Sequence, residues 1–196
     1  MPKIVNHEEK KHLILEIAYH NIQELGKQGT SVRSIANAAK MTPGQIRYYF
    51  PNQSALLSEI LNMLTESIES NIKSIFLDRN LPLEKRIVDA ILLTMPLDKK
   101  RTADMIVWLA VQEENSAINE NTMSDEIYIL VQTSFELLQQ ANKINQSIDK
   151  EKAITKLHAL IDGLALHKLY QPKQLSNTLV EQIVTEEIQS WMERVK

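Results

Sequence analysis

The chain has 196 residues, 43% apolar and 24% charged, with a net charge of −3 and no cysteine. These figures suit one globular domain or two small ones, and they exclude a disulfide framework, thiol catalysis and cysteine-ligated zinc or iron–sulfur chemistry. Glycine is scarce, at four residues, and none falls in a GxGxxG, GxxxxGK[ST] or GxSxG pattern, so phosphate-cradling loops and nucleophile elbows are missing too.

In chain order, the opening MPKIVNHEEKKH has no apolar core and does not read as a signal peptide. Leu13, Ile14, Ile17, Ala18, Ile22 and Leu25 then form a helical stripe over 8–25, which Gly26 ends. Thr30-Ser31 caps a short helix with Val32, Ile35, Ala36 and Ala39 on one face. Lys40-Met41 is a tight connection. Thr42-Pro43 opens a third short helix, Thr as the cap and Pro at the first helical position. Pro51-Asn52 repeats the device and starts a long helix over 52–78, with no glycine or proline between Asn52 and Leu81 to soften it. Further helices are predicted over 83–95, 101–115, 124–141, 149–170 and 176–194, the one at 124–141 apolar on most sides and so buried. No apolar run approaches the roughly 18 residues of a membrane helix. The reading is an all-α, cytoplasmic protein with a small domain over 1–55 and a larger helical domain over 56–196.

Charge is uneven along this scaffold. Residues 1–55 carry seven Lys/Arg against four Glu, whereas 56–196 carry fifteen against twenty-one acids. From Leu25 to Ser58 there is no acid at all, yet Lys27, Arg33, Lys40 and Arg47 fall inside. Such a window fits a surface that meets a polyanion. Within it, TSVRSIANAAKMTPGQIRYYF (30–50) has the dimensions of a helix-turn-helix. Ile46 and Phe50, four apart, point inward and leave Gly44, Gln45, Arg47, Tyr48 and part of Tyr49 outward. Arg and Gln suit base edges, and tyrosine hydroxyls suit phosphates. A plain helical hairpin with a solvated polar face fits the same residues.

Residues 13–57 resemble the DNA-binding domain of the TetR (tetracycline-repressor) family of transcriptional regulators. The likeness runs without gaps through Gly26, Thr30-Ser31-Val32-Arg33-x-Ile35-Ala36, Met41-Thr42-x-Gly44-x-Ile46-x-Tyr48-Tyr49-Phe50 and Leu56-Leu57. It implies a DNA-binding surface drawn from Thr30, Ser31, Arg33, Thr42, Pro43, Gly44, Gln45, Arg47, Tyr48, Tyr49 and Gln53, with Arg47 and Gln45 reading bases and Thr42, Tyr48, Tyr49 and Gln53 on phosphates. The chain departs from the family in four places. Lys40 stands where glycine is usual in the turn, Gln53 where lysine is usual, Arg47 where tyrosine is common, and Lys27 where an aromatic often follows the glycine.

The resemblance also implies a homodimer on a palindromic double-stranded operator and a small-molecule effector, with no cofactor. The run Ala159–Leu166 is similar to the penultimate helix of BetI-like members, which packs in the dimer. Leu160, Gly163, Leu164, His167, Leu179, Ile183, Ile188 and Trp191 are the expected interface. Met105, Trp108, Gln112, Tyr128 and Phe135 are the expected lining of a largely hydrophobic pocket. Two rival readings remain. A helical interaction module would use the hairpin on protein instead of DNA. A metal-binding bundle enzyme would use Glu9-x-x-His12, with Glu16 and His20 on the same face, but no second ExxH exists.

Overall fold

The computed structural model describes residues 7–115 and 126–192, the side chains of Lys27 and of residues 112–115 excepted. It is helical, in the order α1 (His7–Leu25), α2 (Val32–Ala38), α3 (Pro43–Tyr49), α4 (Gln53–Leu77), α5 (Leu83–Leu93), α6 (Lys99–Asn115), α7 (Glu126–Gln140), α8 (Lys150–Tyr170) and α9 (Asn177–Ser190). A 3-10 turn, Gly26–Thr30, follows α1 and was not evident from the hydrophobic pattern. Helix starts follow local chemistry. Ser31, Thr42, Asn52, Asp98, Asp149 and Ser176 each accept a first-turn amide through the side chain. Among the described residues the extended pairing is one isolated antiparallel bridge, Ile144 to Met192. No described helix is long and apolar enough to cross a membrane.

The chain divides into two compact units. The first comprises Met1–Ser67 and Asp98–Asn121; the second comprises Ile68–Leu97 and Thr122–Lys196. The expected boundary at residue 55 therefore falls short. The first unit continues to Ser67 and also takes in α6, which the sequence placed in the larger domain. The reason is visible in its core. Ala103, Val107 and Val111, spaced by four, are buried in one cluster with Ile14, Ala18 and Ile22 of α1, Ile35 of α2, Ile46 and Phe50, and Leu56, Leu57 and Ile60 of α4. The buried face of α6 is thus that of Ala103, Val107 and Val111, with Ile106 packed beside it, while Met105 and Trp108 are more exposed.

Polar contacts reinforce the α1–α6 contact. The Tyr19 hydroxyl donates to the buried Asp104 carboxylate and lies 3.5 Å from the Lys100 carbonyl. Burial, with the neighbouring Asp104, pushes the Tyr19 phenol up, and burial likewise holds Asp104 above the usual carboxylate value. Lys99 pairs with Glu24 at 2.6 Å.

The second unit packs α5, α7, α8 and α9. Its core holds Ile87, Val88 and Ile91, Val131, Phe135 and Leu138, Ile154, Leu157 and Ile161, and Val180, Val184, Ile188 and Trp191. Helix α7 is not buried all round as expected, since Tyr128 and Ile129 are exposed.

Candidate nucleic-acid interface

Helices α2 and α3 are joined by a turn with two built ends. Beyond Ala39 the Lys40 amide donates to the Asn37 carbonyl (3.2 Å) and the Met41 amide to the Ala36 carbonyl (2.9 Å), closing α2 in a Schellman motif. Helix α3 then opens on a reciprocal capping box. The Gln45 amide donates to Thr42 Oγ1 (3.2 Å), and the Thr42 amide donates to Gln45 Oε1 (2.8 Å). Pro43 holds the first helical position. Ile46 and Phe50 are buried as expected, which turns Pro43, Gly44, Arg47 and Tyr48 outward.

The outward face is electrostatically unspent. Arg33, Lys40 and Arg47 are exposed and make no side-chain hydrogen bond or ion pair within the described chain. Elsewhere Lys85, Lys99, Arg101, Lys143, Lys150 and Lys156 each pair with a carboxylate, while Lys73, Arg79, Lys100, Lys152 and Lys173 are exposed without such a pair but lie within 56–196, where acids outnumber cations. Three unpaired cations on two short helices and their turn, with no acid between Leu25 and Ser58, form a surface ready to meet phosphates.

Tyr48 is 72% exposed. Its ring meets that of the half-buried Tyr49 edge-on at 5.2 Å. The His7 ring lies 5.4 Å from Tyr48 and 4.7 Å from Tyr49, so the first turn of α1 braces the end of α3. Sequence reading missed His7, because nothing local to α1 marks it as a neighbour of residues some forty positions on.

Three expected DNA contacts are committed inside the chain. Gln45 Oε1 already accepts from the Thr42 amide in the capping box, so a two-bond grip on adenine would share that oxygen between cap and base. Gln53 Nε2 donates to Thr30 Oγ1 at 3.3 Å, and Thr30 is buried. Thr30 and Gln53 therefore tie the 3-10 turn to the start of α4, and the second N–H of the half-buried Gln53 amide is what is left to donate. Ser31 also serves as a cap, its Oγ accepting from the Ser34 amide, although its hydroxyl proton is left to donate.

The expected effector-lining residues are not brought together in either unit. Met105 and Trp108 lie on α6 in the first unit, half-exposed and 40% exposed; the side chain of Gln112 lies outside the described residues. In the second unit Tyr128 is exposed, while Phe135 is buried against Trp191 at 5.3 Å between ring centroids. Two surface concavities involve none of these: one is lined by Glu8, Lys11, His12 and Glu59 among others, the other by polar residues of α9. Nor do the described residues include any group of three or more His, Asp or Glu placed to hold a metal.

The expected interface residues separate into two sets. Ile188 and Trp191 are fully buried in their own unit and Leu164 nearly so, which removes them from any outward face. Gly163, His167 and Leu179 are exposed, and Leu160 and Ile183 half-exposed. With Leu166 and Tyr170, also exposed, they give α8 and the start of α9 an apolar outer stripe. The separation arises because α9 is apolar on more than one face, so periodicity alone could not tell its inner face from its outer one.

A helix-turn-helix with an unpaired cationic face, carried by an all-helical chain, defines a DNA-binding transcriptional regulator. The chain belongs to the TetR family of such regulators: residues 83–192, more than half of it, match the C-terminal domain of BetI-type transcriptional repressors. It is 28% identical over 192 residues to the HTH-type transcriptional regulator PksA of Bacillus subtilis strain 168, covering 97% of this chain and 93% of that one. Among solved structures, a transcriptional regulator of Saccharomonospora viridis in complex with choline shares the fold with a TM-score of 0.80, at 23% identity, over 95% of this chain and all of the other. NalD, the secondary repressor of the MexAB-OprM multidrug efflux pump in Pseudomonas aeruginosa, shares it at 0.61, with 22% identity over 97% and 100% of the two chains.

Proposed function

We propose that this regulator is a homodimeric repressor that binds a palindromic operator and is released by a small-molecule effector. The unpaired Arg33, Lys40 and Arg47 on the acid-free helix-turn-helix carry the operator reading, because no intramolecular partner competes for them. In this reading Arg47, on the outward face of α3, contacts a base, while Thr42, Tyr48 and Tyr49 contact phosphates. Gln45 holds the start of α3 and acts on affinity, not on sequence choice. The dimer rests on the outer stripe of α8 and α9. Gly163 sits in the middle of α8, where glycine costs about 1 kcal/mol against alanine. A Cβ there would meet nothing among the described residues within 4 Å, so their packing does not require the glycine. Close approach of a second α8 would.

A regulator of like fold holds choline, and repression is the role given to NalD and to the matching BetI-type domain. The effector of this chain is accordingly a small organic molecule whose affinity depends on operator occupancy, with the coupling equal in both directions. Selection of bound duplexes from a random library tests the operator reading. Wild type should yield an inverted repeat, and Arg47→Ala should flatten preference at one base pair per half-site, at a loss of about 1–3 kcal/mol. A binding-site profile unchanged by Arg47→Ala would refute the assignment of Arg47.

A further inference from the structure

Two residues other than glycine have positive φ among the described residues, and both occupy the same position of the same motif. Asn142, at φ 54°, follows α7; its amide donates to Gln139 and that of Lys143 to Leu138. Lys40, at φ 53°, follows α2 with the equivalent bonds to Asn37 and Ala36. This position of a Schellman motif favours glycine and accepts asparagine, whose short polar side chain tolerates the left-handed region. Asn142 fits that rule. Lysine does not: its Cβ is disfavoured there, and a long aliphatic stem offers the backbone no local hydrogen bond.

The Lys40 side chain does nothing for the fold in exchange. It is exposed, and it makes no hydrogen bond or ion pair within the described chain. It stands two residues before Thr42, the cap of the recognition helix, in the acid-free window. Gln53 at the start of α4, meanwhile, is turned to Thr30 and carries no charge. A residue kept against its conformational preference, with a solvent-facing cation and no internal partner, is retained for something outside the chain.

We propose that Lys40 is a DNA-contact residue whose ammonium grips a phosphodiester of the operator backbone from the turn between α2 and α3. The contact is to phosphate, so it adds affinity without sequence preference. This inference rests on the operator-binding reading, and the experiment separates the two. Affinity for a wild-type-selected duplex, and for a mixed-sequence duplex of equal length, is measured against salt for wild type, K40R, K40Q and K40G, alongside thermal unfolding. Each phosphate contact adds about 0.9 to the log–log salt slope, so a dimer of K40Q or K40G should lose about 1.8. That amounts to about a tenfold smaller change in affinity between about 50 and 200 mM salt. K40R should keep the wild-type slope. K40G should unfold at a higher temperature than wild type while binding both duplexes more weakly. A K40G protein that is more stable and binds with unchanged affinity and slope would overturn the proposal, as would loss of slope in K40R equal to that in K40Q. Wild type without salt-dependent DNA binding would overturn the operator reading itself, and this inference with it.

Discussion

Gly29→Ala should disable the DNA-binding unit by displacing the 3-10 turn from α1. Gly29 is buried, and an alanine Cβ there would lie 2.5 Å from the Asn21 carbonyl oxygen and 2.8 Å from both the Asn21 carbonyl carbon and the Ile22 Cα. All three are backbone atoms of α1, so no side chain can swing aside and the turn itself must move. The same turn accepts from Asn21 Nδ2 through the Gly29 carbonyl at 2.9 Å, and Asn21 Nδ2 also donates to Ser34 Oγ at 2.9 Å. Overpacking of a close-packed contact costs about 1–3 kcal/mol. Losing the Asn21 bonds adds about 1 kcal/mol. The sum, about 2–4 kcal/mol, is a large share of the roughly 5–15 kcal/mol that hold a domain folded. Urea unfolding followed by circular dichroism would read it as a fall in midpoint at constant m-value. Because the turn carries Thr30 and leads into α2, duplex binding should fall as well. A variant with wild-type midpoint and wild-type affinity would refute the close-approach argument.

Asp104→Asn should alter pH dependence. Burial raises the folded-state pKa of Asp104 above 3.8, so its contribution is fully present below that value and is lost as pH rises through the raised one; asparagine can still accept from Tyr19, so wild type should lose stability relative to the variant across that window in paired melts, and parallel curves would sink the assignment. Gly163→Leu should leave the melting of the subunit fold intact, since the space beside it is open, yet shift a sedimentation profile from dimer to monomer and weaken operator binding. A variant that remains dimeric would move the interface off α8. Gln45→Ala should lower affinity for all duplexes alike through loss of the bond from the Thr42 amide to Gln45 Oε1, at about 1 kcal/mol, without changing the selected sequence; a changed profile would return Gln45 to base contact.

Much of this was legible in the chain because helix boundaries are set locally. Thr42-Pro43, Ser31 and Asn52 announce their helices by residue type, and the inward face of α3 follows from Ile46 and Phe50 alone. What escaped was decided at long range. The allegiance of α6 turned on Ala103 and Val107, small residues whose pattern is quieter than that of Met105 and Trp108 beside them. Phe135 reads as pocket lining because it is large and aromatic, and Trp191 as interface because α9 is apolar on more than one face; their contact, fifty-six positions apart in the numbering, makes them core. The reassignment of Gln45, Gln53 and Thr30 has the same origin. A polar side chain near a helix start has equal chemistry for a cap, a neighbour or a ligand, and only the partner distances separate the uses.

The four glycines divide along the same line between what the fold requires and what it leaves open. Gly26 is held at a positive φ, and Gly29 by contact with α1 backbone. Gly44 and Gly163 have neither reason. Each lies inside a helix, each is exposed, and the nearest atom to a Cβ at Gly44 is Thr42 Oγ1 at an ordinary 3.8 Å. Under the proposed function, a glycine that weakens its helix and relieves no contact within the described residues leaves room for a surface from outside. Gly44 lies on the recognition helix beside the unpaired Arg47, and Gly163 lies on the apolar outer stripe of α8. Lys40 is the converse case: a position that favours glycine filled by a cation. In the proposed operator-bound dimer, the vacant space at Gly44 and the strained Lys40 therefore serve the duplex from opposite directions, and the vacant space at Gly163 serves the second subunit.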